Sequence, residues 1–323
     1  MIDPKLIDHN WDEEHYVKRG DPSKPTYYII RRKWSAVGLF SNFIVFAGHI
    51  RYALSKGWLP VIDMQNYPNA NLAPEKLGKE NSWEYYFEQP LRIGLEEAYN
   101  GENVILCKEA VMIPPWNNMQ YYDPKNVVMA EWRMLVKMGL LKIKPALMNE
   151  ILEVRKKLFA PTDRVLGVSL RGSEYAHTSP KNHPIPPPPE HVIDVIIEKI
   201  RAWKCNKIFL ATEDKSFVQF FKDTFGDGFG TFCVTTDREY VNYDPKLPST
   251  PVTRINREND HYLQGKEYLT QLVILSKCTS LIVSRCSGAC GLMMLADNFE
   301  NVHAFNLGLY GVRPVDWKKL VGV

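Results

Sequence analysis

The chain has 323 residues, of which 45% are hydrophobic and 24% are charged, so it can bury a large core, and its length predicts two domains. Its 40 basic and 37 acidic residues are interspersed and give a formal charge of +3, which argues against a nucleic-acid-binding protein. The six cysteines are scattered without a CxxC pair or a His/Cys cluster at zinc-ligand spacing, so neither a disulfide framework nor a structural zinc is indicated.

The amino-terminal residues show no targeting pattern. They lack the basic block and the following apolar block of a signal peptide, and no apolar run in the chain approaches the roughly 18 residues of a membrane-spanning helix. We therefore expect a cytoplasmic protein with reduced thiols and no transmembrane segment. Peripheral contact with a membrane surface stays open.

Strand-like and helix-like runs alternate along the first half of the chain. The runs at 27–32 and 59–64 predict strands, and the apolar positions of the run between them, 42–57, partly follow the helical period. Together they predict a βαβ unit. A further helix is predicted at 145–159, where Pro145 is tolerated in the first turn.

The second half repeats this alternation more regularly, which predicts an α/β fold with a doubly wound parallel sheet. The strand-like runs are 164–170, 207–213, 230–236, 280–283 and 301–307, and the helical runs are 191–203, 216–226, 267–278 and 289–297. Proline and polar residues interrupt the pattern at 159–164. We expect an N-terminal α/β domain at 1–160 and a C-terminal Rossmann-like domain at 161–323.

Polar residues follow three strands of the second half. Ligands of open α/β sheets bind at the carboxyl ends of the strands, so these residues are expected to ring one crevice. The three runs are Arg171 to Glu174, Thr212 to Asp214, and Ser284 to Ala289. The last run contains small residues and leads into a helix. Small residues let the backbone N–H groups at the positive end of that helix approach a phosphate. Arg171 could supply a bidentate fork for a diphosphate.

Each of these signals also has a structural interpretation. A Ser-Gly pair before a helix can be only an N-cap, and an arginine at a strand end can form a surface ion pair. Thr212 to Asp214 can simply begin the next helix, because acidic side chains favour that end. The coincidence of three strand ends favours a ligand site.

The order of these segments resembles that of the GDP-fucose-dependent fucosyltransferase superfamily. A strand, an arginine, a long loop with His-Pro, a helix, "ATED" and then "YLTQLVILSKCTSLIVSRCSGACGLMML" follow one another. The superfamily includes alpha-1,6-fucosyltransferases, bacterial nodulation fucosyltransferases and protein O-fucosyltransferases. The resemblance implies a GT-B type fold, in which two Rossmann-like domains face each other across a cleft.

The resemblance also implies roles for single residues. Arg171 would bind the donor β-phosphate and stabilise the leaving GDP, with Ser169 at the place of the family's histidine. Glu174 would match an acidic family position and is the first candidate for the base that takes the acceptor proton. The other implied donor-binding residues are Gly38 and Asn42 of "GLFSNF", then Thr212, Glu213, Asp214, Glu267, Cys286, Ser287, Gly288 and Ala289.

The function implied by the resemblance is inverting transfer of fucose from GDP-fucose to a glycan or glycolipid, with no metal or other cofactor and with the first domain on the acceptor side. Asp63, His177 and His183 stay open as further acceptor-binding residues or bases. Because Ser169 and Gln271 replace family residues, a different nucleotide sugar or a catalytically silent nucleotide-sugar-binding protein also stays open. A nicotinamide oxidoreductase is disfavoured, since no GxGxxG follows an early strand.

The loop at 175–189 contains a run of four prolines. Proline restricts the unfolded chain more than the folded one, so such a loop can be held in one conformation at low entropic cost. It is either a lid over the acceptor or donor, or a rigid surface connection.

Overall fold

Each half of the chain contributes one β-sheet. The computed structural model describes residues 11–34, 37–171, 174–226, 232–233 and 255–312. The strands of the first half are β1 (His15–Lys18), β2 (Thr26–Ile30), β3 (Leu59–Ile62) and β4 (Asn103–Leu106). They lie in the order β1-β4-β2-β3, with β2 parallel to β3 and β4, and β1 antiparallel to β4. The predicted strands at 27–32 and 59–64 correspond to β2 and β3.

Two helices of the first half connect its strands and pack beside them, and two further helices follow β4 and pack against other helices. They are α1 (Leu39–Ser55), α2 (Leu95–Asn100), α3 (Val127–Lys137) and α4 (Pro145–Leu158). The predicted βαβ unit is β2-α1-β3, and the predicted helix at 145–159 is α4. The sequence analysis missed β1, β4 and α2, because elements of four to six residues are too short to show a period. Helix α3 also escaped prediction, although its buried residues Met129, Trp132 and Leu135 recur at the spacing of one helix face.

The second half forms a five-stranded parallel sheet, as predicted. Its strands are β5 (Val165–Ser169), β6 (Lys207–Ala211), β7 (Phe232–Cys233), β8 (Ser280–Ser284) and β9 (Asn301–Phe305). They lie in the order β7-β6-β5-β8-β9, and every neighbouring pair is parallel. Of the predicted strand at 230–236, only β7 belongs to the described residues.

Five further helices accompany this sheet: α5 (Glu174–Thr178), α6 (Pro189–Ala202), α7 (Lys215–Phe225), α8 (Asp260–Ser276) and α9 (Ser287–Leu295). Pro189 occupies the first turn of α6, where its missing N–H would have no partner in the helix anyway. Within the part of the chain that the structure describes, none of the helices combines the length and the apolar character needed to cross a membrane.

The register of the second sheet explains how the predicted crevice forms. Ser169 at the end of β5 lies opposite Ala211 on β6 and Val283 on β8. The three strands therefore end at the same level. The residues that follow them emerge together at one edge of the sheet.

Helix α9 joins the two halves of the molecule. It packs against α1 and α3 of the first half and against α8 of the second. Because it has neighbours on every side, its residues 288–294 are all buried, which explains their uniformly apolar and small character. A Cβ atom at Gly291 would overlap the ring of Phe40 on α1, so the glycine allows these two helices to approach closely. One continuous hydrophobic core includes residues of both halves, and the domain boundary near residue 160 stays a prediction.

A second contact between the halves lies at the amino-terminal end of α8. The Tyr86 hydroxyl donates a hydrogen bond to the carbonyl oxygen of Tyr262 at 2.8 Å, and Nδ1 of His261 lies 3.1 Å from the carbonyl oxygen of Ala70. A Cβ at Gly265 would overlap the Tyr86 hydroxyl. These contacts hold the loop around residue 70 of the first half against the second half.

We expect Gly291→Ala to lower the melting temperature clearly. Alanine gains roughly 1 kcal/mol of helix propensity over glycine, but the overlap with Phe40 forces α1 and α9 apart, and overpacking of this kind typically costs about 1 to 3 kcal/mol. Gly94→Ala controls for an added methyl group without overlap, because no described atom lies within 4 Å of its added Cβ, and alanine costs there only its weaker N-cap propensity. Thermal unfolding of both variants and the parent chain tests this, and a Gly291→Ala melting temperature equal to the parent's would show that the helix contact does not need a glycine.

Candidate active site

A cavity of about 350 Å³ lies between the two halves, at the edge where β5, β6 and β8 end. Its walls contain residues that follow all three strands, as the sequence predicts: Ser169 and Arg171, Thr212 and Glu213, and 286–288. The first half contributes residues 37–41, Ala70, Asn71 and Trp116. The predicted residues Gly38, His183 and Glu267 also line the cavity.

Two helices begin at this cavity, one from each half. The first turn of α1 is Leu-Phe-Ser-Asn and its N-cap is Gly38, which has no side chain to satisfy the free N–H groups. The first turn of α9 is Ser-Gly-Ala-Cys, and its N-cap Cys286 accepts a hydrogen bond on Sγ from the Ala289 N–H at 3.3 Å. Both turns are uncharged, so the positive ends of both helix dipoles remain unneutralised by their own sequence. The pair can attract an anion.

Gly38 is not required by the backbone or by its neighbours. Its φ of −67° is one that any residue adopts, and no described atom lies within 4 Å of the position that a Cβ would take. The space in front of it belongs to the cavity. This glycine therefore keeps the cavity open at the start of α1.

Arg171 brings a positive charge to the same cavity. Its guanidinium carbon lies 3.5 Å from the centroid of the Tyr175 ring, so the planar group stacks on the ring face. Burial raises the pKa of the Cys286 thiol, and the charge of Arg171 acts in the opposite direction. Arg171 thus lies within electrostatic reach of the start of α9.

Glu267 is held in place by an arginine from the segment before α8. The two guanidinium nitrogens Nη1 and Nη2 of Arg257 donate to the two carboxylate oxygens of Glu267 at 2.6 and 3.0 Å, and Nε donates to Asp260 at 2.9 Å. These partners raise the pKa of Arg257. One turn further along α8, the amide of Gln271 donates to the carbonyl oxygen of Thr212 at 3.3 Å. Glu267 and Gln271 form one wall of the cavity.

Three of the predicted donor-binding residues do not line the cavity. Asn42 is buried within α1, one position beyond the lining residues 37–41. Asp214 is buried and caps α7, accepting from the N–H of Ser216 at 2.9 Å. Ala289 is buried at the start of α9, where its N–H is used by Cys286. For Asp214 the structure favours the helix-start interpretation over a donor contact.

Asp63 also lies outside the cavity lining, in a buried cluster after β3. Its carboxylate accepts hydrogen bonds from the Asn66 side-chain amide and the Tyr99 hydroxyl, both at 2.8 Å, and from the N–H of Gln65 at 2.9 Å. Burial raises the pKa of Asp63, and these hydrogen bonds act in the opposite direction. The arrangement fixes the loop after β3 and gives Asp63 a structural role rather than the role of an acceptor base.

His183 is the candidate base that the structure places in the cavity wall. Its Nδ1 lies 3.1 Å from the carbonyl oxygen of Lys181, a contact that requires a proton on Nδ1. In the neutral ring, Nε2 is then left with a lone pair. Glu174 and His177 belong to α5, and their side chains lie outside the described part of the structure.

The sequence analysis missed several residues of the cavity wall because they come from loops or helix faces far apart in the chain. Trp116 lies in a loop after β4, and Tyr268 lies on α8. A Cβ at Gly288 would overlap the Tyr268 hydroxyl, so this glycine lets α8 close over the start of α9. The Pro-Pro-Trp stretch at 114–116 was the one local signal, since two prolines predict a rigid turn.

Two Rossmann-like halves with a cavity between them define a protein of the GT-B type. No protein-family model and no curated protein matches the chain. Solved structures do: NodZ alpha-1,6-fucosyltransferase soaked with GDP-fucose is similar with a TM-score of 0.53 at 14% identity, covering 89% of this chain and 97% of that chain. The same enzyme co-crystallised with GDP has a TM-score of 0.55 at 14% identity, with 88% and 96% covered. Fucosyltransferase NodZ from Bradyrhizobium has a TM-score of 0.50 at 16% identity, with 84% and 92% covered.

These likenesses confirm the predicted fold. The chain has the α/β architecture of GT-B fucosyltransferases along most of its length, as the resemblance in the sequence implied.

We expect Cys286→Ala to lower stability and Cys286→Ser to preserve it. The alanine variant loses the acceptor for the Ala289 N–H, and loss of an N-cap typically costs about 0.5 to 2 kcal/mol, whereas a serine hydroxyl is a stronger cap. Thermal unfolding of the two variants beside the parent chain measures the difference. Equal stability of the alanine variant and the parent would show that the thiol does not cap α9.

Proposed function

We propose that the protein is an inverting glycosyltransferase that transfers fucose from GDP-fucose to a glycan acceptor. The observation that carries this proposal is the convergence of Arg171 with the amino-terminal ends of α1 and α9 on one cavity between two Rossmann-like halves. A nucleoside diphosphate has the charge and shape that such a site binds best. Neighbouring structures that carry GDP-fucose and GDP on the same fold support this choice of donor.

In this proposal, the second half binds the donor. The start of α9, with Cys286, Ser287 and Gly288, faces the diphosphate, and Arg171 binds its β-phosphate. The wall formed by Thr212, Glu213, Glu267 and Gln271 faces the nucleoside. Gly38 keeps space for the sugar or phosphate where the first half meets the donor, and the first half supplies the acceptor side.

The reaction is a direct displacement at the anomeric carbon. A bond forms between the acceptor hydroxyl oxygen and that carbon, and the bond from the carbon to the β-phosphate oxygen breaks, with its electron pair leaving on GDP. Negative charge grows on the diphosphate in the transition state, where a preorganised cation and helix ends stabilise it more than in the ground state. Attack from the face opposite the leaving group inverts the configuration.

The acceptor proton must go to a base as the new bond forms. Nε2 of His183 on the cavity wall is our first candidate among the described side chains, because a proton shared with the Lys181 carbonyl oxygen sits on the other ring nitrogen and leaves Nε2 as an acceptor. Glu174 and His177 stay candidates from α5. The charge stabilisation in this scheme comes from Arg171 and N–H groups, so we propose a metal-independent reaction that uses no other cofactor.

We expect GDP to raise the melting temperature of the protein, since a ligand that binds only the folded state must stabilise it. The shift should exceed those with UDP, CDP and ADP and should be the same with EDTA and with magnesium or manganese. Differential scanning fluorimetry on this panel measures it. A larger shift with UDP or CDP would refute the guanine donor, and a GDP shift that EDTA abolishes would refute metal independence.

Arg171→Lys should be almost as inactive as Arg171→Ala. Lysine keeps the charge but loses the planar fork that matches a diphosphate, and removal of one preorganised donor of this kind typically costs about 100- to 1,000-fold in rate. Turnover of GDP-fucose, followed by GDP release, measures the effect in both variants.

Arg164→Lys is the matched control for this series. Arg164 precedes β5 as Arg171 follows it, and it forms an exposed ion pair with Glu300, a type of contact that is worth only about 0 to 1 kcal/mol. Its turnover should match the parent chain. Near-normal turnover in Arg171→Lys would exclude the bidentate role. A chain that binds GDP but releases none from GDP-fucose with any acceptor would instead be a silent binding protein.

A further inference from the structure

Three aromatic side chains lie side by side along one wall of the cavity. The ring centroids of Trp116 and His183 are 5.9 Å apart with a tilt of 34°, and those of His183 and Tyr175 are 5.3 Å apart and nearly perpendicular. All three residues line the cavity. We call Trp116, His183 and Tyr175 the aromatic wall.

The aromatic wall ends at the residue that we place on the leaving group. Tyr175 carries the guanidinium of Arg171 on its ring face. Arg171 therefore contacts the aromatic wall through Tyr175 and lies within electrostatic reach of Cys286 at the start of α9. A molecule that rests on the wall lies beside the site at which the diphosphate departs.

A buried arginine supports the wall from behind. Nη1 of Arg285 donates to the carbonyl oxygen of Asn117 at 2.6 Å, and Nη2 donates to that of Gly308 at 3.4 Å. The Tyr122 hydroxyl donates to the carbonyl oxygen of Trp116 at 2.7 Å. The Arg285 bond to Asn117 fixes the Trp116 loop to the second half, and the Tyr122 bond fixes the same loop within the first half.

The loop that carries His183 is held by backbone pairing. The N–H of Asn182 donates to the carbonyl oxygen of Tyr310 at 2.9 Å, and the N–H of Tyr310 donates to the carbonyl oxygen of His183 at 2.9 Å. The N–H of Ile185 donates to the carbonyl oxygen of Gly308 at 3.1 Å. The proline-rich loop is thus a fixed part of the cavity wall from 182 to 185, which favours a preformed binding surface over a mobile lid at these residues.

Trp116 is not accounted for by core packing alone. The large aromatic residues Trp83 and Trp132 are almost fully buried, whereas Trp116 is half-buried and faces the cavity. An indole face on a cavity wall offers a flat apolar surface to a ligand. Nε2 of the neighbouring His183 offers a hydrogen-bond acceptor.

We propose that the aromatic wall is the acceptor subsite and that it binds a pyranose ring. This inference rests on the proposed glycosyltransferase function. The C–H face of the sugar stacks on Trp116, and a hydroxyl of the same sugar donates to Nε2 of His183, next to the leaving diphosphate. The wall favours a sugar acceptor over a serine or threonine in a peptide, because a peptide hydroxyl needs no flat stacking surface.

The test is ligand-observed saturation-transfer NMR on the full chain with GDP present. The probes are methyl pyranosides of glucose, galactose, mannose and N-acetylglucosamine, and a peptide that contains serine and threonine. We expect at least one pyranoside to bind through its ring C–H protons. Trp116→Ala should weaken this binding roughly tenfold or more, and Trp116→Phe should retain most of it. Trp34→Ala is the matched control, because Trp34 is 62% exposed and lies outside the cavity lining.

Each outcome decides the proposal. Pyranoside binding that is the same in Trp116→Ala and the parent chain overturns it, as does binding of the peptide but of none of the sugars, or of no probe at all. If Trp116→Ala does not fold, Trp116→Leu against Trp116→Phe gives the answer, because both keep apolar volume and only phenylalanine keeps a flat ring. If GDP does not raise the melting temperature but Trp116→Ala still loses pyranoside binding, the GDP-sugar donor is refuted and the sugar-binding site is upheld.

Discussion

The close approach of α1 and α9 is the contact on which the rest of the site depends. With glycine at 291, α9 packs against Phe40, and the two helices from opposite halves begin at one cavity. A dipole effect falls off within the first turn of a helix, so a small separation of these ends would remove their joint action on a bound anion. The apolar, small-residue character of α9 therefore serves both the packing of the halves and the electrostatics of the cavity.

Around this contact, buried polar groups divide into those that build the scaffold and those that face the cavity. Asp63 is buried and accepts hydrogen bonds from the backbone of its own loop and from the side chains of Asn66 and Tyr99. Arg285 is buried and donates to backbone carbonyl oxygens of two loops. Glu267 combines both roles, because Arg257 fixes its carboxylate while the side chain remains on the cavity wall. Charge in the cavity is thus held by rigid neighbours, which is the condition for stabilising a transition state without reorganisation.

The accuracy of the sequence analysis followed the length and the periodicity of the elements. The buried runs of β5, β6 and β8 and the helices α4 and α6 carry a clear pattern, whereas α1 follows the helical period only in part. The order of these elements implied the parallel sheet whose strand ends form the crevice. Asn42 shows the limit. Its place in "GLFSNF" suggested a cleft residue, but a helix turns about 100° per residue, so one position beyond Ser41 is enough to put the side chain on the buried face.

The sequence alone determined the α/β class, the three strand ends and the position of Arg171 after β5, because these depend on local hydrophobic periodicity and on the rule that parallel strands end at one edge. Only the tertiary structure decided which side chains share the cavity. Trp116 and His183 are separated in the chain by α3, α4, β5 and α5. They meet because Arg285 holds the loop after Trp116 and because residues 182–185 pair with 308–310. Such contacts are set by the packing of distant segments, which leaves no period and no spacing in the sequence.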